Sequence, residues 1–515
     1  MRALLMAVST AVYFAAVGAS AQTYTVLHNF AGGPTDGENP FGGVITDGTK
    51  FYGTTALGGA NGKGALYSMN MDGTGFTVLR SFGPLPDGIG PNLPHVLDAG
   101  VLYGTTTDGG TADKGTLYTI KTDGTGYAIL YSFLGAPDGE RPQGPLVLSG
   151  GVLYGVTESG GLTHDGTAYS VRTGGTDYTV LHNFAGAPLD GAKPRGALFL
   201  ENGTLYGAAA EEGAYIAEAG TLFSMATDGS AYTTLHNFSF SDGALPASAF
   251  VSDGTQLYGM SMAGGTATSG ILAYYGGGTI FASDKDGSNF RVLHDFDLTS
   301  GGATRSGLVR IEDRLYGTTF SGGSGAIPGP GTIFTLNTDG TGYTVLHTFD
   351  DLVLGAGSLP AGFPLIVNDT FYGNASVGGT QGKGVVFSYV IPTPPLQVTL
   401  NTIFPAAGQT WTVDAAVQPL AQRFDAWAVI QAPDGSFFSM VLGQPDRLIP
   451  GAAPLARNVP GLPSTFTAQL LSMTLPPGLA AGAYTVTVAL LPAGSPLILE
   501  AAIPGYGVQR IATIR

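Results

Sequence analysis

The 515-residue sequence has no cysteine. That excludes disulfide staples, thiolate metal sites and an N-terminal lipid-modified cysteine together. Charge is scarce too: charged residues make up 11%, where about 25% is usual in soluble domains. The 21 basic and 37 acidic residues leave a net charge of −16, and no block of Lys and Arg breaks that balance. A nucleic-acid backbone is therefore not an expected partner. Helical periodicity is missing, as are a G-x-S-x-G elbow, a P-loop and an H-E-x-x-H zinc motif. What the chain has instead is glycine, 82 residues without a collagen triplet, and hydrophobic residues at 43%. Frequent tight turns and enough apolar surface for more than one core follow.

The stretch from Leu102 to Phe133, LYGTTTDGGTADKGTLYTIKTDGTGYAILYSF, is the unit from which most of the chain is built. Its L/F-Y-G tyrosine returns at Tyr52, Tyr103, Tyr154, Tyr206, Tyr258, Tyr316 and Tyr372, at intervals of 51, 51, 52, 52, 58 and 56 residues. Each unit holds four short β-rich runs; in the third these are PLVL, LYGVT, TAYSV and YTVLHNF. Strict alternation in the last of them would place Tyr178, Val180, His182 and Phe184 on one side. Four short antiparallel strands per repeat of about 50 residues is the arithmetic of a propeller blade. The expected fold is all-β, a seven-bladed β-propeller followed by an immunoglobulin-like β-sandwich. YTVLHNF at Tyr24–Phe30 is a fourth strand lacking its first three, and GVVFSYV at Gly384–Val390 a third strand lacking its fourth. Joining them closes the ring through the N-terminal strand and leaves no bare edge.

The succession LYGTT, a glycine pair, G-T-L/I-F/Y, D-G-T-G-Y and V-L-H-x-F resembles the GloVer tandem repeat, found in bacterial choice-of-anchor proteins. The resemblance covers roughly Tyr24 to Val390 and departs in blade 4, at LYGAAAEEG, and blade 7, at FYGNAS. It implies an exported, repeat-built protein and brings no catalytic residues.

Before the repeats, Arg2, an apolar run and Ala19-Ser20-Ala21 read as a signal peptide over residues 1–21, cut before Gln22. Localisation is then secreted, extracellular or periplasmic. No later stretch is apolar enough to span a bilayer. The propeller is expected over 22–390, a Pro-rich linker over 391–397 and the sandwich over 398–515, with Asp434-Gly435 as a hairpin turn. The closing residues IATIR bring no apolar tail, so no familiar anchor is expected.

Candidate chemistry is sparse. His28, His182, His236, His294 and His347 share one repeat position, filled by Arg80 and Tyr131 in the other two units, which argues for a structural role. Turns such as Lys121–Tyr127 resemble half a calcium loop but lack the bidentate Glu, so they read as hairpin turns, with calcium the alternative and no other cofactor expected. Glu211 and Glu212 would point to opposite faces of a strand, which makes no acid–base couple. Asp-Gly pairs at Asp36, Asp87, Asp138, Asp190 and Asp242 mark the crossings between blades, and would set five carboxylates in an arc on one face. The arc is open at blades 6 and 7, where the strand-two-to-three loops of blades 5 and 6, Ala263–Gly278 and Ser321–Gly331, are long. Tyr274 and Tyr275 in the first of these would stack on a sugar or pack the insertion. The leading expectation is a monomeric binding module for a glycan or surface protein. A carbohydrate-active lyase or hydrolase, and a structural envelope or matrix protein, are the rivals.

Overall fold

The computed structural model describes residues 24–391 apart from 188–189, 213–218, 267–276, 298, 324–328 and 351–355, together with strand backbones at 12–13 and between 410 and 514. It divides into two compact units, Tyr24–Tyr389 on one side and Met1–Thr23 with Val390–Arg515 on the other.

The first unit is a seven-bladed β-propeller, and no helix occurs among the described residues. Blade 3 shows the plan. Glu140–Ser149, nearest the axis, pairs antiparallel with Val152–Ser159, which pairs with Thr167–Arg172, which pairs with the outer strand Thr179–Asn183. Blade 7 takes its first three strands from Gly357–Val367, Thr370–Gly378 and Val385–Val390, and its outer strand from Tyr24–Asn29. In blades 1, 4 and 5 the innermost strand is split into two short pieces.

Neighbouring blades cover both faces of each sheet, so the second and third strands are buried almost without alternation. The motif glycine is explained by this packing. A Cβ on Gly155 would stand 2.5 Å from the Tyr169 hydroxyl, and one on Gly104 2.4 Å from that of Tyr118. Only a bare backbone lets the third-strand aromatic lie across the second strand. The buried threonines that follow pair across the two strands, Thr106 with Thr116 at 2.7 Å and Thr157 with Thr167 at 2.8 Å between hydroxyl oxygens.

The two departures from the repeat differ in consequence. Blade 7 replaces both partners with apolar groups, Ala375 and Val385, which is close to neutral. Blade 4 replaces only one, Ala209, and the buried Thr221 hydroxyl has no partner among the described residues. Ala209→Thr is therefore expected to stabilise the protein by about 0.5–1.5 kcal/mol. The check is a higher urea midpoint at unchanged slope; a lower midpoint would mean that blade 4 has no room for the second hydroxyl.

Strict alternation in the outer strand does not hold. The ladder slips between Ala168 and Tyr169, which pair with His182 and Val180, so Leu181 is bulged out. The same irregularity occurs in the outer pairing of every blade. A bulge turns the residues after it to the other face. Tyr178 thus reaches the preceding blade and His182 the following one.

The innermost strands carry a second repeated device. Asn39, Arg141, Lys193, Leu245, Ala303 and Leu359 hold φ between 49° and 60°, with Gly90 at 62° in blade 2. Non-glycine residues adopt this backbone at a cost of roughly 1 kcal/mol or more each. Each of these N–H groups donates to the preceding blade, for example Arg141 to Lys114 O at 2.9 Å and Lys193 to Asp165 O at 2.7 Å. The strain is thereby tied to blade-to-blade contact, and it sets the direction in which the next residues meet the axis.

In the second unit, Phe424–Gln431 lies between Tyr484–Pro492 and Phe437–Val441, and Thr410–Val417 pairs separately with Phe466–Thr474. The antiparallel pairing of Phe424–Gln431 with Phe437–Val441 is that of a hairpin; the Asp434-Gly435 turn and linker residues 392–397 lie outside the described residues.

Candidate functional site

The five aspartates of the crossings sit in the joints between blades. Asp36, Asp138 and Asp190 are buried, at 9%, 8% and 6% exposure. Asp36 accepts from the amides of Ala31 and Gly37 at 2.8 and 2.7 Å and faces His28 Nε2 at 3.2 Å. Asp87 accepts from Arg80 at 2.6 Å, the Tyr127 hydroxyl at 2.7 Å and the amides of Gly83 and Gly88. Asp190 engages His182, the Tyr232 hydroxyl and the Gly191 amide. Asp242 faces His236 and accepts from the Ser239 amide, and Asp138 accepts from Leu134 beside Tyr131 and Tyr178. Their hydrogen-bonding capacity is directed into the protein, not outward as an open arc. Tyr274 and Tyr275 lie outside the described residues.

At each of the seven joints the repeated residue of one outer strand stacks on the aromatic of the next blade. The ring pairs are His28–Phe76, Tyr131–Tyr178, His182–Tyr232, His236–Phe290, His294–Tyr343 and His347–Tyr24, 3.6–4.5 Å apart and within 8° of parallel. Arg80 completes the seven, its guanidinium 4.0 Å from the Tyr127 ring centre. The repeated histidines therefore hold blade to blade. The D-G-T-G-Y turns contribute the aromatic, and their aspartates accept from their own turns, as Asp123 does from the Thr125 amide and hydroxyl. Among the described residues no three His, Asp or Glu side chains gather as a metal site would require.

The joints after blades 5 and 6 lack the Asp-Gly pair at their crossings, and this changes the histidines there. The buried His294 Nε2 has no partner among the described residues. Burial holds His294 below the ordinary histidine range, opposed by Asp295 and Asp297, and burial does the same to His347. In the folded protein both rings take up protons only at a lower pH than in the unfolded chain, which does so below about pH 6.5. Their contribution is present above that pH and is lost as pH falls through and below it. Replacing both with Phe keeps the stacks and should flatten the acid-side loss of unfolding free energy. An unchanged pH profile would assign that loss to other groups.

A cavity of ≈ 360 Å³ lies on the propeller axis and takes lining from all seven blades. One position of the innermost strand, the second after the left-handed residue, supplies Phe41, Gln143, Arg195, Ala247 and Arg305 to it. Two positions further on, the described side chains of the ring are Gly43, Pro145, Ala197, Ala249, Gly307 and Phe363. Phe363 alone is large, and a Cβ on Gly307 would stand 2.4 Å from its ring. Small neighbours thus make room for one aromatic, which contributes to the cavity wall.

Around Arg195 the charged groups beside the cavity cluster on blades 3 and 4. Arg195 contacts Glu158 and Glu211 at 2.9 Å each, Gln143 donates to Glu158 at 3.1 Å, Arg141 lies 3.4 Å from Glu158, and Lys193 lies 3.0 Å from Glu211. Here cations and acids compensate one another. Two blades on from Arg195, Arg305 lies with its guanidinium 4.4 Å from the Phe320 ring centre. Among the described residues no acid stands within ion-pair distance of it. Partial burial, and then the like charge of Arg195, push its pKa down. This ring was not singled out from sequence. The available signal was Arg195 and Arg305 at one repeat position where other blades carry Ala, Asn, Phe or Gln, in a chain poor in charge.

Among solved structures the chain is similar to an oligogalacturonate lyase in complex with manganese, with 13% identity and a TM-score of 0.47 over 75% of this chain and 99% of that one. It is similar to an oligogalacturonate lyase from Vibrio parahaemolyticus at 13% identity and 0.46, covering 75% and 98%. It is also similar to TolB from Acinetobacter baumannii at 12% and 0.34, covering 54% and 58%. At such identities and scores no chemistry transfers. No curated protein matches in sequence. The Gloeobacter/Verrucomicrobia repeat does match, over residues 87–273 and 272–418. With the repeated LYG motif, the seven blades and this match over more than half its length, the chain belongs to the Gloeobacter/Verrucomicrobia repeat family.

Proposed function

We propose that this propeller repeat protein is an exported binding module that takes a glycan, free or displayed on a surface partner, at its axial cavity. The observation that carries the reading is the convergence of all seven blades on one cavity whose wall departs from the repeat. A rigid ring tolerates such departures at the axis, where side chains meet ligand rather than a neighbouring blade. The volume of ≈ 360 Å³ lies within the roughly 300–1,000 Å³ usual for ligand sites. In this reading the signal peptide is removed before Gln22, the N-terminal strand closes the ring, and an immunoglobulin-like sandwich follows a stiff linker. No cofactor is called for. The rival lyase or hydrolase needs an acid or base free to move a proton, whereas Glu158 and Glu211, the acids that meet the cavity residue Arg195, are both held by it.

A glycan array probed with the mature protein tests the reading, alongside a polysaccharide panel assayed for reducing ends and unsaturated products. Binding without product, reduced by Phe41→Ala, is the expected result. Product formation would replace it with the enzyme reading, and an array without hits would favour a structural role.

A further inference from the structure

Among the described residues, the axial cavity presents one cation without an ion-pair partner. Arg195 already meets two carboxylates, while Arg305 has none within ion-pair distance among the described residues and is exposed toward the cavity it lines. Blade 5 lies between them and contributes only the small Ala247 at the equivalent position, which leaves space beside Arg305. Phe320 supports the guanidinium from one side. In the same ring Phe41 is 41% exposed, an aromatic left open inside a cavity.

We propose that the axial cavity binds a sugar acid, with Arg305 receiving the carboxylate and Phe41 stacking on the sugar ring. A guanidinium presents a planar fork of donors matched to a carboxylate, and it gains most where water is partly excluded. An incoming anion also relieves the repulsion from Arg195. The net charge of −16 does not forbid this. Charges beyond a Debye length of about 8 Å at physiological salt are largely screened, so the cation in contact decides. Pyranose faces are apolar enough to lie on an exposed aromatic, and Phe363 and Met262 continue that apolar wall. The inference rests on the axial cavity being the ligand site and adds the charge class of the ligand.

The test is calorimetric titration of the mature full-length protein with glucuronate and an alginate tetrasaccharide. Glucose and cellotetraose serve as neutral counterparts, and inorganic phosphate as a bare anion. The acids are expected to bind at least tenfold more tightly than the neutral sugars. Arg305→Gln should remove that preference at an unchanged melting temperature, and Arg305→Lys should restore it in part. Equal affinity for acid and neutral sugar, both weakened by Phe41→Ala, would overturn the charge class and leave the axial site standing. Phosphate competing as well as glucuronate would reduce Arg305 to a general anion contact and overturn the sugar acid. No binding of either acid, or binding unaffected by both substitutions, would also overturn the proposal.

Discussion

A chain lacking residues 22–30 is expected to lose cooperative unfolding and to aggregate. Tyr24–Asn29 is the outer strand of blade 7, paired with Val385–Val390, and its removal bares that edge. It also takes part in two joints at once. Tyr24 stacks on His347 of blade 6 and packs against Phe349 and Phe387, while His28 stacks on Phe76 of blade 1 and faces Asp36. Phe30 is wholly buried against Tyr67 and Phe76, and its amide donates to Gly384 O. Losing one buried aromatic typically costs about 3–5 kcal/mol. Two of them, with the histidine joint, approach the whole stability of an ordinary domain, about 5–15 kcal/mol. Light scattering after size exclusion and a thermal melt decide the matter. A monomer with an unchanged melting temperature would show that blade 7 holds without its outer strand.

Asp190→Ala should be among the most damaging single substitutions. The carboxylate is 6% exposed and engages His182, the Tyr232 hydroxyl and the Gly191 amide, so the variant strands three polar groups. A loss of about 3–5 kcal/mol is expected, each stranded group costing roughly 1–3 kcal/mol. Asp242→Ala removes a carboxylate that is 28% exposed and has fewer partners, and a loss nearer about 1–2 kcal/mol is expected. Urea denaturation of both compares them directly. If Asp242→Ala proved as harmful as Asp190→Ala, burial would not be what gives these carboxylates their weight.

Both expectations rest on features that are only partly readable along the chain. The Asp-Gly spacing of 51, 51, 52 and 52 residues is visible in the sequence, and so is the repeated histidine. Their meeting is not, because the aspartate belongs to a turn and the histidine to a strand that a bulge at Leu181 has turned over. A period-two reading places His182 with Tyr178; one extra residue in the ladder sends them to opposite neighbours. The axial site is harder still to read. Phe41, Arg195 and Arg305 are 154 and 110 residues apart in sequence, and only the propeller makes them neighbours of one cavity.

Sequence alone determines the repeat, its strand count and its turn chemistry, because these follow from interactions within some 50 residues: β-rich runs, Asp-Gly turns and a glycine that admits an aromatic. It also determines the number of blades, since the motif tyrosine occurs seven times. Only the tertiary structure decides which polar groups are used up in the joints and which remain open at the axis. The reason is physical: a carboxylate is a ligand-binding group or a structural one according to what surrounds it. In a ring those surroundings come from the next blade, about 50 residues away, and at the axis from all seven blades together.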